Sequence, residues 1–317
     1  MSTVVNHWID GKEYVHLKTK GRKLSVHPAV EVSKPLGLSC FATVAGLNAR
    51  QGGAAIAIDK AGRLFVFDSA ADQRVIRVFD AAGKALHTIG TRGGRIVGPY
   101  DPTRFTSSPE VQVDLAVDAK DQLWVVECDW APKRVSLWGV DGTFKKDMFG
   151  NTGYGGGGCL DPYDKSRLYY QGLEFALDWK TGATELKKVL WQGKIPAGEQ
   201  AIRIKDRLYL VTRPHFGIQP VGIVYLYEKD RLKCVAAMGA AGNFPLLRTS
   251  AILGKLGKKA VGDSEFIWSD RNGDGIAQAD EVEFFDSANR REASVCRFDE
   301  TLGIDSPEFR YEVKEIL

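Results

Sequence analysis

A chain of 317 residues with a net charge of only +3, its acidic and basic residues interspersed, has no electrostatic footprint for nucleic acid or an anionic membrane. Nowhere do about 18 apolar residues run together, which excludes a transmembrane helix. Residues 1–10 lack a basic region followed by an apolar run and do not read as a secretory signal, so the sequence reads as a cytoplasmic protein, a mature form or part of a longer chain.

Glycine (34 residues) and tryptophan (7 residues) are abundant, as suits short strands joined by tight turns. Residues 1–50 hold strand-like pieces, Lys23–Val26 and Phe41–Val44, with no clear repeat. A pattern then begins at Ala57-Ile58-Asp59, turns at Gly62 and continues through Leu64-Phe65-Val66-Phe67-Asp68 to Arg74-Val75-Ile76-Arg77-Val78-Phe79, Gly83 and Gly90. It returns as Ala116-Val117-Asp118, Leu123-Trp124-Val125-Val126-Glu127, Arg134-Val135-Ser136-Leu137-Trp138, Gly142 and Gly150. Each copy predicts a four-stranded antiparallel meander with Asp-x-x-Gly turns. One such sheet cannot bury both of its faces, and radial packing of successive sheets solves this.

Weaker copies follow at Arg167–Tyr170 with Phe175–Leu177, at Asp206–Val211 with Val224–Tyr227, and at Glu265–Trp268 with Val282–Phe285. Helical periodicity is scarce; its best candidate is Leu246–Leu256. The expectation is an all-β chain: a single β-propeller over 1–317, six-bladed, with five recognisable modules and terminal strands completing the sixth. Its segments are 1–50, the two clear repeats over 51–160, degenerate repeats over 161–261, and a late blade with the C-terminal strand over 262–317. Two packed β domains are the alternative.

The pattern Ala-[Ile/Val]-Asp-x-x-[Gly/Asp]-x-Leu-[Phe/Trp]-Val … Arg-Val-x-x-[Phe/Trp] resembles the NHL-repeat family of β-propellers over about residues 53–150 and more loosely over 165–317. The resemblance implies a propeller, commonly six-bladed, and little about chemistry. Thr91–Glu110 and the glycine-rich Gly153–Gly158 depart from a compact repeat. With the Trp-Ser-Asp-x-Asn-Gly-Asp-Gly stretch at 268–275, the chain also resembles large uncharacterised bacterial propeller proteins, a likeness that supplies no activity.

Residues 270–281 match D-x-[DN]-x-[DN]-G-x₅-E in full. Asp270, Asn272 and Asp274 offer side-chain oxygens at alternate positions, Gly275 permits the sharp turn, and Ile276 offers its carbonyl. Gln278 stands where a ligand acts through water, and Glu281 can close the sphere with both oxygens. Hard oxygen donors at this spacing suit Ca²⁺ far better than Zn²⁺. EF-hand loops sit between helices, but here the flanks look like strands, so the loop is expected to span a hairpin in a late blade. Without a paired second loop it should bind Ca²⁺ modestly and serve structure rather than sensing. A plain polar turn is the competing reading.

Positions after central strands carry Asp68, Glu127-Cys128-Asp129, Thr212-Arg213-Pro214-His215 and Asp270; Asp68, Glu127, Asp129 and His215 are the candidate pocket, against ordinary turn residues. His215 is weighed as a general base and as a loop histidine, while His7, His16 and His27 form no ligand motif. Tyr100–Arg104 reads as a ligand loop or a packed connection. Gly155–Gly158 lacks the Lys-Ser/Thr of a phosphate loop, and no nucleophile-elbow or zinc-protease pattern exists. Cys40, Cys128, Cys159, Cys234 and Cys296, odd in number and scattered, read mostly as buried small hydrophobes rather than disulfides or a zinc site.

The leading functional expectation is a binding module for a protein, glycan or small molecule, with structural Ca²⁺, no nucleic acid and no membrane span, either a monomer or part of a longer chain. The alternative is a Ca²⁺-dependent hydrolase or lyase of the lactonase-like six-bladed kind, with Asp68, Glu127 and Asp129 as donors. Modest calcium affinity favours an extracytoplasmic setting.

Overall fold

The computed structural model describes residues 4–9, 12–20, 23–27, 55–108, 111–129, 132–150, 158–192, 200–212, 221–257, 259–286, 297–305 and 310–313, with side chains from residue 55 onward except those of Asp286, Arg297, Asp305, Arg310 and Tyr311. Phe41–Val44, Cys40, Gly153–Gly157, Arg213–His215 and Cys296 lie outside the described residues, as do the side chains of His7, His16 and His27. Among the described residues the chain is all-β: antiparallel sheets, short 3₁₀ turns and one five-residue α-helix, α1 (Ser250–Gly254). It divides into two compact units, residues 1–95 with 101–154, and residues 96–100 with 155–317.

In the first unit, β1 (Val4–Ile9), β2 (Lys12–Lys20) and β3 (Lys23–His27) form a three-stranded sheet. Ile9 faces Lys12 and Lys20 faces Lys23, so each connection has two residues. The two clear repeats are each a four-stranded meander, as expected: β4 (Ile56–Ile58) to β7 (Ala85–Ile89) through β5 (Leu64–Asp68) and β6 (Val75–Phe79). The second runs from β9 (Val113–Val117) through β10 (Gln122–Cys128) and β11 (Lys133–Gly139) to β12 (Phe144–Gly150).

The repeat aspartates build the turns between these strands. Asp59 Oδ1 accepts the Arg63 N–H at 2.8 Å, and Asp118 Oδ1 accepts the Lys120 and Gln122 N–H groups at 2.8 and 3.0 Å. Every residue of β5 is buried. Phe65 and Phe67 join a core with Ile76, Leu123, Val125 and Trp138, whereas Leu64 and Val66 pack with Phe79 on the other face. Alternate side chains of one strand therefore serve two cores. The Thr91–Glu110 insert is an ordered connection through Ser108. Arg95 N–H donates to the Phe105 carbonyl, and Phe105 packs edge-on against Phe67 at 5.9 Å and tilted against Trp138 at 5.3 Å. Gly90 is required there, since a Cβ would stand 2.4 Å from the Phe105 ring.

In the second unit, β8 (Gly98–Pro99) pairs with β16 (Thr184–Val189) at the edge of a sheet that also holds β13 (Cys159–Leu160), β14 (Arg167–Tyr170) and β15 (Leu173–Leu177). Six strands follow in sequence order: β17 (Gln200–Ile204), β18 (Arg207–Thr212), β19 (Val221–Glu228), β20 (Arg231–Ala240), β21 (Ser264–Ser269) and β22 (Val282–Asp286). The expected pairings occur, with Leu210 opposite Tyr225 and Phe266 opposite Phe284. The 206–230 and 265–285 modules nevertheless belong to one sheet, because the ten-residue β20 pairs with β19 along its length and, through Ala236–Ala240, with β21. Both faces of β18 are covered: Leu208 and Leu210 join one core, Tyr209 and Val211 another.

The helical candidate 246–256 yields only α1, one turn, with the Thr249 hydroxyl accepting the Ile252 N–H. The last strands, β23 (Arg297–Phe298), β24 (Ile304–Asp305) and β25 (Arg310–Tyr311), form a small sheet. Its Asp299 turn repeats the bonds of Asp118, accepting the Thr301 and Gly303 N–H groups at 2.8 Å each.

Candidate metal centre

Residues 270–281 connect β21 to β22, so the loop spans a hairpin, as expected from its strand-like flanks. Its fold follows from its oxygens. Asp270 Oδ2 accepts the Gly275 N–H at 2.9 Å and Asp274 Oδ1 the Ile276 N–H at 2.7 Å, which curls the chain. Gly275 takes φ +76°, and a Cβ there would approach Lys233 Cε to 3.2 Å. The Asn272 and Gln278 amide groups both donate to Asp274 Oδ2, at 3.1 and 2.7 Å. The Ile276 N–H is the leading cause that holds the Asp274 carboxyl below its ordinary range; the Gln278 and Asn272 bonds and the Lys233 charge add to it against a smaller opposing effect of desolvation. The Ile276 side chain is 60% exposed, so that position contributes backbone alone.

Glu281, the expected closing ligand, is met by four N–H groups. Its Oε1 accepts the Arg271 and Asn272 N–H groups at 2.8 and 3.2 Å; its Oε2 accepts Trp268 Nε1–H at 3.2 Å and the Gln278 N–H at 3.4 Å. It works here as a buried carboxylate that ties the two ends of the loop together. Among the described residues no three Asp, Glu, His or Cys side chains are grouped so as to hold an ion. Two loop atoms stand out against this background: Asp270 Oδ1, on a side chain 1% exposed, and Gln278 Oε1 are both buried with no hydrogen-bond partner.

A basic residue that sequence reasoning missed completes the arrangement. Lys233, from β20, places Nζ 3.2 Å from Asp270 Oδ2 and donates to the Gly273 carbonyl. It reaches the loop because β20 extends past β21: the Asp270 N–H donates to the Val235 carbonyl at 2.8 Å. Beside it, burial first and the Asp270 charge second push the Cys234 thiol up, which makes it an inert packing residue. Cys234 is the buried cysteine expected; Cys128, by contrast, is exposed.

Among the acidic positions proposed as a pocket, Glu127 and Asp129 share Arg95 and Thr106, whereas Asp68 is engaged with a different arginine. Asp68 meets Arg77 at 2.7 Å. Glu127, its side chain fully buried, meets Arg95 at 3.0 Å and Arg134 at 3.5 Å and accepts the Thr106 N–H. Asp129 accepts the Thr106 hydroxyl and lies 3.9 Å from Arg95. His215 falls outside the described residues. Arg134 is the repeat's own arginine and was visible in the pattern; it also donates to the carbonyls of Pro102 and Arg104. With Arg104 Nη1 donating to the Arg92 and Gly94 carbonyls, Tyr100–Arg104 is a packed connection.

No protein-family model matches the chain, and no curated protein matches it either. Among solved structures, a chain of a nidogen–laminin complex is similar at 14% identity over 67% of this chain and 67% of its own, with a TM-score of 0.23. A protein from Lactobacillus plantarum is similar at 14% identity over 89% of this chain and 84% of its own, TM-score 0.22. A gluconolactonase from Xanthomonas campestris is similar at 16% identity over 70% and 69%, TM-score 0.22. Similarities this low say nothing about activity. Among the described residues no helix is long and apolar enough to cross a membrane.

Proposed function

We propose that this chain is a calcium-stabilised β-propeller of the six-bladed kind that acts as a binding module for a protein or glycan. Asp270 Oδ1 carries the calcium part. A carboxylate oxygen on a side chain 1% exposed, with no donor to meet it, is a desolvation cost that a hard cation relieves. The oxygens that the same loop can offer, from Asp274, Asn272, Gln278 and the backbone, are of the kind that suits Ca²⁺. A half-turn of the Gln278 amide, which now gives its NH₂ to Asp274, would present oxygen in its place. Bound there, Ca²⁺ would pin the β21–β22 hairpin. Affinity on the order of 10⁻⁴–10⁻³ M, the range of extracellular modules, suits an extracytoplasmic setting.

Support for the propeller comes from meanders whose inner strands, β5 and β18, are covered on both faces. An antiparallel sheet reaches that state by stacking on neighbours. Support for binding rather than catalysis comes from Glu127: a divalent ion there would face the guanidinium groups of Arg95 and Arg134.

Calorimetric titration of the wild type and of Asp274→Ala with Ca²⁺ tests the reading. Asp274 is exposed, so the variant keeps the core intact. The wild type is expected to bind one Ca²⁺ and the variant to bind it at least about tenfold more weakly, the equivalent of about 1.4 kcal/mol. Equal affinities, or no binding by the wild type, would remove the loop assignment.

A further inference from the structure

We infer that Lys233 is the loop's resident counter-cation and that Ca²⁺ binds by displacing it; this rests on the calcium reading above. The ammonium group already stands where a cation would interact with the loop. It pairs with the buried Asp270 carboxylate at 3.2 Å and donates to the Gly273 carbonyl. The rest of the side chain lies over Gly275, with Cε and Cγ 3.2 and 3.4 Å from where a Cβ would be. Lys233 holds Asp270 Oδ2 and leaves Oδ1 open, but an ammonium and a divalent ion on one carboxylate repel each other by an energy that rivals the attraction either gains from it. An ion entering the loop therefore meets a tethered competitor whose effective concentration is set by the chain.

The displaced side chain has somewhere to go. A cleft of about 480 Å³ borders Lys233 and the loop residues Asp274 and Gly275, and Glu228 lines it as well. Lys229 and Arg231 line it beside Glu228, so a released ammonium moves into the open, solvated cleft rather than onto a dedicated partner, while Asp270 passes to the ion. The exchange has two consequences. Calcium affinity is held low by competition rather than by a poor donor set, and calcium occupancy changes the charge presented in the cleft.

Lys233→Met keeps the length of the stem and removes the charge. Calorimetry with CaCl₂ on the full chain should show the variant binding Ca²⁺ at least about tenfold more tightly than the wild type. Equal or weaker binding by the variant overturns the exchange and leaves the calcium loop standing. If neither protein binds Ca²⁺, the calcium reading itself falls and the exchange with it. A second measurement needs no variant. Acetylation of Lys233 in the wild type, read by mass spectrometry, should rise several-fold on adding saturating Ca²⁺, relative to the other lysines. Unchanged acetylation at a Ca²⁺ concentration that saturates the calorimetric signal overturns displacement.

Discussion

At the scale of single residues, the buried charges divide by whether the sequence shows their partners. Glu127 sits at the end of a strand the repeat pattern predicts, yet its character comes from Arg95, 32 residues away, and from Arg134 on the next strand. A buried carboxylate between two buried guanidinium groups depends on all three being present. Removing one partner leaves the others desolvated and uncompensated. Glu127→Ala is expected to lower unfolding free energy by about 3–5 kcal/mol, measured by urea denaturation. A loss near zero would mean that the guanidinium groups find other partners without cost. Asp270 raises the same issue at the loop, with Lys233 40 residues from Gly273 in sequence.

At the scale of elements, the chain uses one turn design repeatedly. An aspartate that closes a strand bonds the N–H groups that follow it, at 59, 80, 118 and 299. The copy at Asp299 was legible as Phe298-Asp299-Glu300-Thr301-Leu302-Gly303 and was hidden only because Leu302, at φ +65°, stands where Gly62 and Gly83 stand in the clear repeat.

Sheets within the second unit are also tied by a charge pair. Asp161, just after β13, accepts two bonds from Arg203 on β17, at 2.9 and 2.7 Å, and one from Tyr169 at 3.1 Å. Burial alone would push the Asp161 carboxyl up. The Arg203 bonds, the Tyr163 N–H and the Tyr169 hydroxyl more than offset it and hold the carboxyl well below the usual carboxylate range. A carboxyl whose folded pKa is lowered contributes stability above its unfolded pKa, about 3.9, and loses that contribution as pH falls through the folded value. Wild type should therefore exceed Asp161→Asn in stability at pH 7. The gap should narrow steadily below about pH 4, as read from urea midpoints across pH 7 to 3. A gap independent of pH would show that the pair acts through packing and not through charge.

At the scale of the whole molecule, the proposed propeller predicts one cooperative unfolding transition, since stacked sheets share their cores, whereas two independent β domains would melt in two steps. Calcium should shift that transition upward, by about 2.7 kcal/mol at a hundredfold excess over the dissociation constant, and a chelator should reverse the shift. Differential scanning calorimetry with and without Ca²⁺ checks both points. Two transitions, only one of them calcium-sensitive, would favour separate domains with the loop in the second.

The sequence by itself determined the all-β class, the two clear meanders and the hairpin that carries 270–281. Each of these is written in local spacing: alternation within a strand, an aspartate and a glycine in a turn, oxygens at every second position of a loop. Tertiary structure alone decided which charges meet. It joined β20 to β21, merging two predicted modules into one sheet and carrying Lys233 onto the 270–281 loop, and it set Arg95 against Glu127. Pairing between distant strands leaves no periodic trace in the chain, because it is fixed by the burial of whole sheet faces and not by any neighbour in sequence.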